Sequence, residues 1–250
     1  MKKPVSDEPK GERIAKRMAD AGLCSRREAE RWIAAGRVSV DGVVLTSPAL
    51  TVTDTNQVVV DGQLVGGRGK TRLWRYHKPT GLVTTHSDPQ GRSTVFSSLP
   101  PDLPRVISIG RLDLNSEGLL LLTNSGELAR KLESPATGWK RLYRVRAHGR
   151  PLPEALASLA KGITVDGMRY GPIEATLERQ QGANAWLSVA LHEGRNREVR
   201  KALESINLTV NRLIRIAYGP FQLDTLEPGE VREVPNKILR DQVGVVENDR

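Results

Sequence analysis

The sequence predicts an α+β protein in two parts: a small N-terminal module of two helices and short strands, then a larger domain on a mostly antiparallel mixed sheet. Three observations predict it. After residue 70, strand-like runs come in neighbouring groups rather than in strict alternation with helices, which separates α+β from α/β. Before residue 66, two helical periods lead into short β runs around two Asp-Gly pairs. Between the parts lies Gly66-Gly67-Arg68-Gly69-Lys70, a glycine-rich basic stretch suited to a hinge.

Each element has its own signal. Residues 12–21 put Ile14, Met18 and Ala21 on one helical face. Gly22 breaks the pattern. Ser25 followed three residues later by Glu28 is a capping box, and it opens a second helix over 26–35 that Gly36 ends. Val38-Ser39-Val40, Asp41-Gly42 and Val43-Val44-Leu45 read as a hairpin, because Asp-Gly supplies the positive φ angles of a tight turn. A further run, 57–60, reaches a second Asp-Gly at 61–62. In the larger part, strands are expected at 73–77, 106–109, 118–123, 141–147, 172–178, 185–191 and 212–217. Helices are expected at 125–133, 153–161 and 195–206. The boundaries follow as 1–10 disordered tail, 11–65 N-terminal module, 66–70 linker, 71–240 main domain and 241–250 loose tail.

Composition narrows the function. The 250 residues carry 38 Lys and Arg against 29 Asp and Glu, a net charge of +9 that favours a polyanionic partner. Cys24 is the single cysteine, so no intrachain disulfide forms, which suits a reducing cytosol; between Leu23 and Ser25 it reads as core filler. No apolar run reaches the roughly 18 residues of a membrane span, and MKKPVSDEPKGER lacks the apolar stretch of a secretory signal. The expectation is a cytoplasmic protein with no membrane partner. Gly69-Lys70-Thr71 ends like a phosphate-binding loop, but Leu64 stands where that motif needs glycine, so no nucleotide cofactor is expected. His77, His86, His148 and His192 show no metal-ligand spacing, and no metal is expected.

The densest polar segment is Gly110-Arg111-Leu112-Asp113-Leu114-Asn115-Ser116-Glu117-Gly118, between two apolar runs. A glycine-flanked polar loop between core strands is a good place for a site. Read from the residues alone, Asp113 to Ser116 is turn chemistry first, because Asp, Asn and Ser bond back to their own backbone. The alternation Asp113, Asn115, Glu117 lacks the internal glycine and distant Glu of a calcium loop.

Four strings carry a family resemblance. ERIAKRMADAGLCSRREAERWIAAGRVSVDG resembles an S4 RNA-binding domain. That resemblance implies RNA contacts from Arg13, Lys16, Arg17, Arg26, Arg27, Arg31 and Arg37. GRLDLNSEGLLLLTNSGELARKL resembles the catalytic motif of the pseudouridine synthases that pair an S4 domain with a catalytic domain. The match gives Asp113 the role of essential aspartate. Arg141-Leu142-Tyr143-Arg144-Val145 matches a family strand whose tyrosine stacks on the target base, and residues 130–150 hold seven Lys or Arg and one Glu around it. Gly194-Arg195-Asn196-Arg197-Glu198-Val199-Arg200 matches a third family motif. By it Arg200 pairs with Asp113 and favours its ionised form, while Arg195 and Arg197 contact phosphates. Arg111 is expected to help hold the flipped-out nucleotide.

The resemblance implies isomerisation of a uridine in ribosomal RNA, by a cofactor-independent and monomeric enzyme acting on free RNA or on a ribosomal assembly intermediate. The motif and layout are most similar to the B branch of the large-subunit enzymes. The same chemistry on small-subunit RNA is the nearest alternative; the transfer-RNA branch usually lacks the S4 module. A non-catalytic S4-type RNA-binding or ribosome-assembly protein is the alternative of another class, and the joint presence of Asp113, Tyr143 and Arg200 weighs against it.

Overall fold

A computed structural model describes residues 11–67 and 69–244. They form two compact units: residues 11–71 with Pro104–Val106, and Arg72–Leu103 with 107–244. The expected tail at 1–10, Arg68 of the expected linker, and 245–250 lie outside the described residues.

In the first unit, β1 (Glu12–Arg13) precedes α1 (Ile14–Asp20) and α2 (Arg26–Ala34). The Ser25 hydroxyl accepts from Glu28 N while Glu28 accepts from Ser25 N, so the capping box is formed in both directions. Then come β2 (Val38–Val40), β3 (Val43–Val44), β4 (Thr51–Val52), β5 (Val58–Val60) and β6 (Gln63–Leu64). The order β3-β2-β5-β6 makes a four-stranded antiparallel sheet, and β4 pairs with β1. Asp41 and Asp61 sit at φ 50° in the two Asp-Gly turns. Ile14, Met18, Ala29, Ile33 and the inward valines of β2 and β5 form the core. Cys24 lies within it, and burial pushes its thiol up to about 11, so it stays protonated filler.

The second unit has β7 (Leu73–Lys78), β8 (Ile107–Ile109), β9 (Glu117–Thr123), α3 (Gly126–Glu133), β10 (Arg141–His148), α4 (Pro153–Leu159), β11 (Ile163–Val165), β12 (Met168–Tyr170), β13 (Ile173–Gln181) and β14 (Asn184–Leu191). It continues with α5 (Glu198–Glu204), β15 (Thr209–Tyr218), β16 (Phe221–Gln222), β17 (Val231–Glu233) and α6 (Asn236–Val243). Nine described strands share one mixed sheet of order β13-β14-β10-β15-β9-β7-β17, with β8 on β9 and β16 on β15. Its named strand pairs are antiparallel except β9 with β15. The expected α+β class holds. β9 is buried along its whole length, as an unbroken apolar run covered on both of its faces should be. Leu119 and Leu121 point to a core shared with α3 and α6.

Three expectations change. The helix read over 195–206 starts only at Glu198, because Arg197 takes a left-handed φ of 52° and the residues before it fold as a loop. Residues 241–243 are not loose tail: they close α6, whose Leu239 and Val243 are buried. The hairpin β11–β12 was not expected, although Asp166-Gly167 repeats the Asp-Gly chemistry of the first unit, with Asp166 at φ 51°.

Candidate active site

The loop between β8 and β9 is held by its backbone from several directions. Gly110 N donates to Glu133 Oε1 at 2.6 Å, and Leu112 exchanges hydrogen bonds with the Thr84 hydroxyl at 3.3 and 2.8 Å. Gly81 N donates to Leu114 O at 2.9 Å, and Ser116 N closes the turn on Asp113 O at 3.0 Å. The turn that the residue types predict is therefore present, but a backbone hydrogen bond closes it. No hydrogen bond or ion pair among the described residues engages the Asp113 carboxylate, and the residue is only half-buried. Arg111, beside it, is exposed.

Beneath the turn stands Lys78, which no sequence motif singles out. It is fully buried at the end of β7. Its Nζ donates to the carbonyls of Ser116 at 2.8 Å, Pro79 at 3.0 Å and Asp113 at 3.1 Å, with Leu114 O at 3.5 Å. Three donors and no acceptor make an ammonium the natural clamp for converging carbonyls. Burial lowers its pKa to about 8, against the pull of the Asp113 and Glu117 charges. The available signal was a lysine at the end of an apolar strand, in Lys78-Pro79-Thr80-Gly81 just before a break.

Arg200 approaches the same turn from α5. Its Nη2 donates to Asn115 O at 2.9 Å and its Nη1 to Val210 O at 3.0 Å. The direct Arg200–Asp113 pair expected from the motif is not formed among the described residues; the guanidinium is anchored on carbonyls and acts on Asp113 through its charge. Burial and the neighbouring Arg197 charge lower the Arg200 pKa, and the Asp113 charge opposes them. Arg197 precedes the helix, and Lys201, one residue beyond Arg200, pairs with Asp166 at 3.2 Å.

The loop leading into α5 has its own support. Glu198, almost wholly buried, accepts from Arg195 N at 2.9 Å through Oε2, and burial raises its pKa. Arg195 reaches Glu193 at 2.8 Å and Arg169 O at 2.7 Å. Arg197 is exposed.

Sheet register fixes Tyr143. Lys78 of β7 stands opposite Gly118 of β9, Gly118 opposite Arg215 of β15, and Arg215 opposite Tyr143 of β10. Residues in register share a face, with strands about 4.8 Å apart. The buried Lys78, Arg215 and Tyr143 thus share one face. Arg215 Nε donates to Leu119 O at 2.7 Å. Gly118, at φ 102°, leaves no room for a side chain: a Cβ there would come within 2.7 Å of Arg215 N.

In the first unit the seven basic candidates divide. Lys16 pairs with Glu12 at 2.5 Å and Asp20 at 3.1 Å, Arg17 with Asp54 at 2.6 Å, and Arg37 with Asp61 while stacking on Trp32 at 4.5 Å. Arg13, Arg26, Arg27 and Arg31 are exposed and make no ion pair among the described residues.

Comparison with known proteins adds to this geometry. The sequence model of the RNA pseudouridylate synthase family matches residues 72–205, and that of the S4 domain matches 12–59. An RNA pseudouridine synthase of Rickettsia conorii is 52% identical over 92% of this chain and 99% of its own length. A ribosomal large subunit pseudouridine synthase B of Haemophilus influenzae is 44% identical over 88% of this chain and 65% of its own. A crystal structure of a pseudouridylate synthase superposes with a TM-score of 0.64 at 24% identity, covering 93% of this chain and 99% of that one, a likeness of fold. With an S4 module ahead of a matching catalytic domain, the chain belongs to the RNA pseudouridine synthases.

Proposed function

We propose that this enzyme isomerises a specific uridine of large-subunit ribosomal RNA, with Asp113 as its essential carboxylate. One observation carries the assignment of Asp113: its turn is held by backbone contacts to Lys78, Gly81, Thr84, Glu133 and Arg200, and the carboxylate is left unused. The choice of RNA is supported by the ribosomal large subunit pseudouridine synthases of Haemophilus influenzae and Pseudomonas aeruginosa, 44% and 39% identical. The working division of the chain is an RNA-binding domain at 11–65 and a catalytic domain at 71–240.

The reaction is redox-neutral. The N1–C1′ bond of uridine breaks, the ring turns, a C5–C1′ bond forms, and the C5 proton leaves to solvent while N1 gains one. Asp113 serves as nucleophile at the sugar or as base toward a sugar proton. Arg200 holds the turn and offers positive charge beside the carboxylate; Tyr143 stacks on the extruded base. Arg111 clamps the flipped nucleotide. Arg195 and Arg197 meet phosphates, with Arg195 the weaker candidate because its guanidinium is already engaged by Glu193 and Arg169 O. In the N-terminal module, Arg13, Arg26, Arg27 and Arg31 are the phosphate contacts of choice, and Lys16, Arg17 and Arg37 support the surface from within ion pairs.

The test is tritium release from ribosomal RNA labelled at uridine C5, on the RNAs of both ribosomal subunits. Wild-type enzyme releases tritium from the large-subunit RNA, and Asp113→Asn releases none while binding RNA as wild type does. An active Asp113→Asn enzyme returns Asp113 to a turn role. Release from small-subunit RNA alone overturns the substrate assignment.

A further inference from the structure

The sheet has a second face, turned away from Tyr143. Along β10, Tyr143, Val145 and Ala147 are buried, whereas Arg144, Arg146 and His148 alternate with them and are exposed. Register carries that outer face across four strands. Arg212 of β15 stands opposite Arg146, Arg146 opposite Trp186 of β14, and Trp186 opposite Arg179 of β13. The adjacent row reads Ile214, Arg144, Ser188, Thr176. Arg144 lies over the Trp186 ring at 4.7 Å and pairs with Glu178 at 3.1 Å.

Fold stability gives no reason for this row. Like charges directly opposite each other weaken a strand pair, and Arg146 faces Arg212. Glu117 balances Arg212. Arg146 makes no ion pair among the described residues, and Arg179 bonds to the neutral amide of Gln181 at 2.8 Å. Arg144, Arg146, Arg179 and Arg212 are all exposed, and Trp186 is half-exposed between them. The two of these guanidinium groups without an acidic partner, Arg146 and Arg179, beside a flat aromatic ring match a polyanion that also offers π faces. RNA is such a polymer, and stacking with charge-assisted phosphate contacts is how unpaired strands are held.

We propose that this face is a second RNA-contact surface, on the side of the sheet opposite Tyr143, holding an unpaired segment of the substrate RNA. Arg146 and Arg179 meet its phosphates, and Trp186 supports a base. The inference rests on the RNA-isomerase reading and extends it to how the substrate is gripped beyond the target nucleotide.

The test uses the full chain with Arg146→Gln and Arg179→Gln combined, neither residue being part of the catalytic machinery. Affinity for a large-subunit RNA fragment is measured between about 50 and 200 mM salt, where each lost phosphate contact flattens the log–log salt slope by about 0.7 to 0.9. The double variant should bind more weakly and show a slope shallower by about 1.4 to 1.8, with tritium release at saturating RNA unchanged and a wild-type melting curve. Wild-type affinity and slope overturn the proposal. A second measurement is independent of charge: Arg146→Cys carrying a thiol-linked photocrosslinker. The native Cys24 is buried and does not compete for the label. Crosslinks to RNA away from the target uridine are expected, and their absence also overturns the proposal. The two readings fail separately. Loss of affinity in an enzyme that never isomerises uridine keeps the surface and removes the activity; full isomerisation with an unchanged slope does the reverse.

Discussion

The Lys78 ammonium sits where three carbonyls around the Asp113 turn converge, and burial has brought its pKa to about 8. Below that pH it is charged and donates all three protons; above it one donor and the positive charge are lost. The unfolded chain holds that proton up to the ordinary lysine range, so between about 8 and 10.5 it binds more protons than the folded one. Global stability from this group therefore rises with pH in that window, while order at the turn falls. Turnover of the wild type should decline as pH passes about 8. Lys78→Met should be well below wild type at pH 7 and lose that limb of the profile; a profile identical to wild type would remove Lys78 from the turn's function. Tyr143→Phe should be mild if stacking is the role and Tyr143→Ala severe, measured as single-turnover rates; equal losses would point to the hydroxyl. At this scale the sequence singled out Asp113, Tyr143 and Arg200 because each stands in a long local motif. It did not carry Lys78, since nothing local distinguishes a buried clamp from a lysine that snorkels to solvent.

Periodicity made most elements legible. α1, α2, α3, α4 and the long strands lie where apolar spacing, caps and turn residues put them, within a few residues. The failures have physical causes. Arg197 adopts a left-handed conformation that arginine rarely takes, and no local residue announces it, so the helix starts later than its apolar face suggests. The hairpin β11–β12 is three residues per strand, too short for a period to declare itself. Two predictions belong to elements. Ser25→Ala removes one half of a formed capping box and should cost about 1 kcal/mol in chemical denaturation. Gly118→Ala should cost more, at least about 2 kcal/mol, because a Cβ would press on the Arg215 backbone at a positive φ that alanine resists. A Gly118→Ala enzyme with wild-type stability would mean that β9 and β15 separate easily.

For the whole molecule, the division into two units was readable from the glycine-rich stretch and the change of pattern on either side. What spacing does not encode is which basic residues remain available. Three of the seven candidates in the N-terminal module are satisfied by acidic neighbours brought close by the fold. Replacing Arg26, Arg27 and Arg31 together by Gln should flatten the salt dependence of RNA binding by about 2 to 3 in log–log slope. The same triple change at Lys16, Arg17 and Arg37 should do less to the slope and more to the melting temperature. Equal slopes for the two triples would mean that the ion pairs open when RNA binds.

The parallel pairing of β9 with β15 sets a timetable for the nascent chain. Gly118 meets Arg215 only after nearly a hundred further residues have been made, which at synthesis rates of about 5–20 residues per second is several seconds or more. Until then β9 has β7 along one flank and β8 beside Leu121 to Thr123 on the other, and its first end, Glu117–Gly118, stays unpaired on the flank that β15 will fill. An unpaired strand end is an aggregation hazard. It also sets an order of assembly: the turn that carries Asp113 lacks Arg200 and β15 until residues 200–218 have been made, so the proposed site is completed only after them.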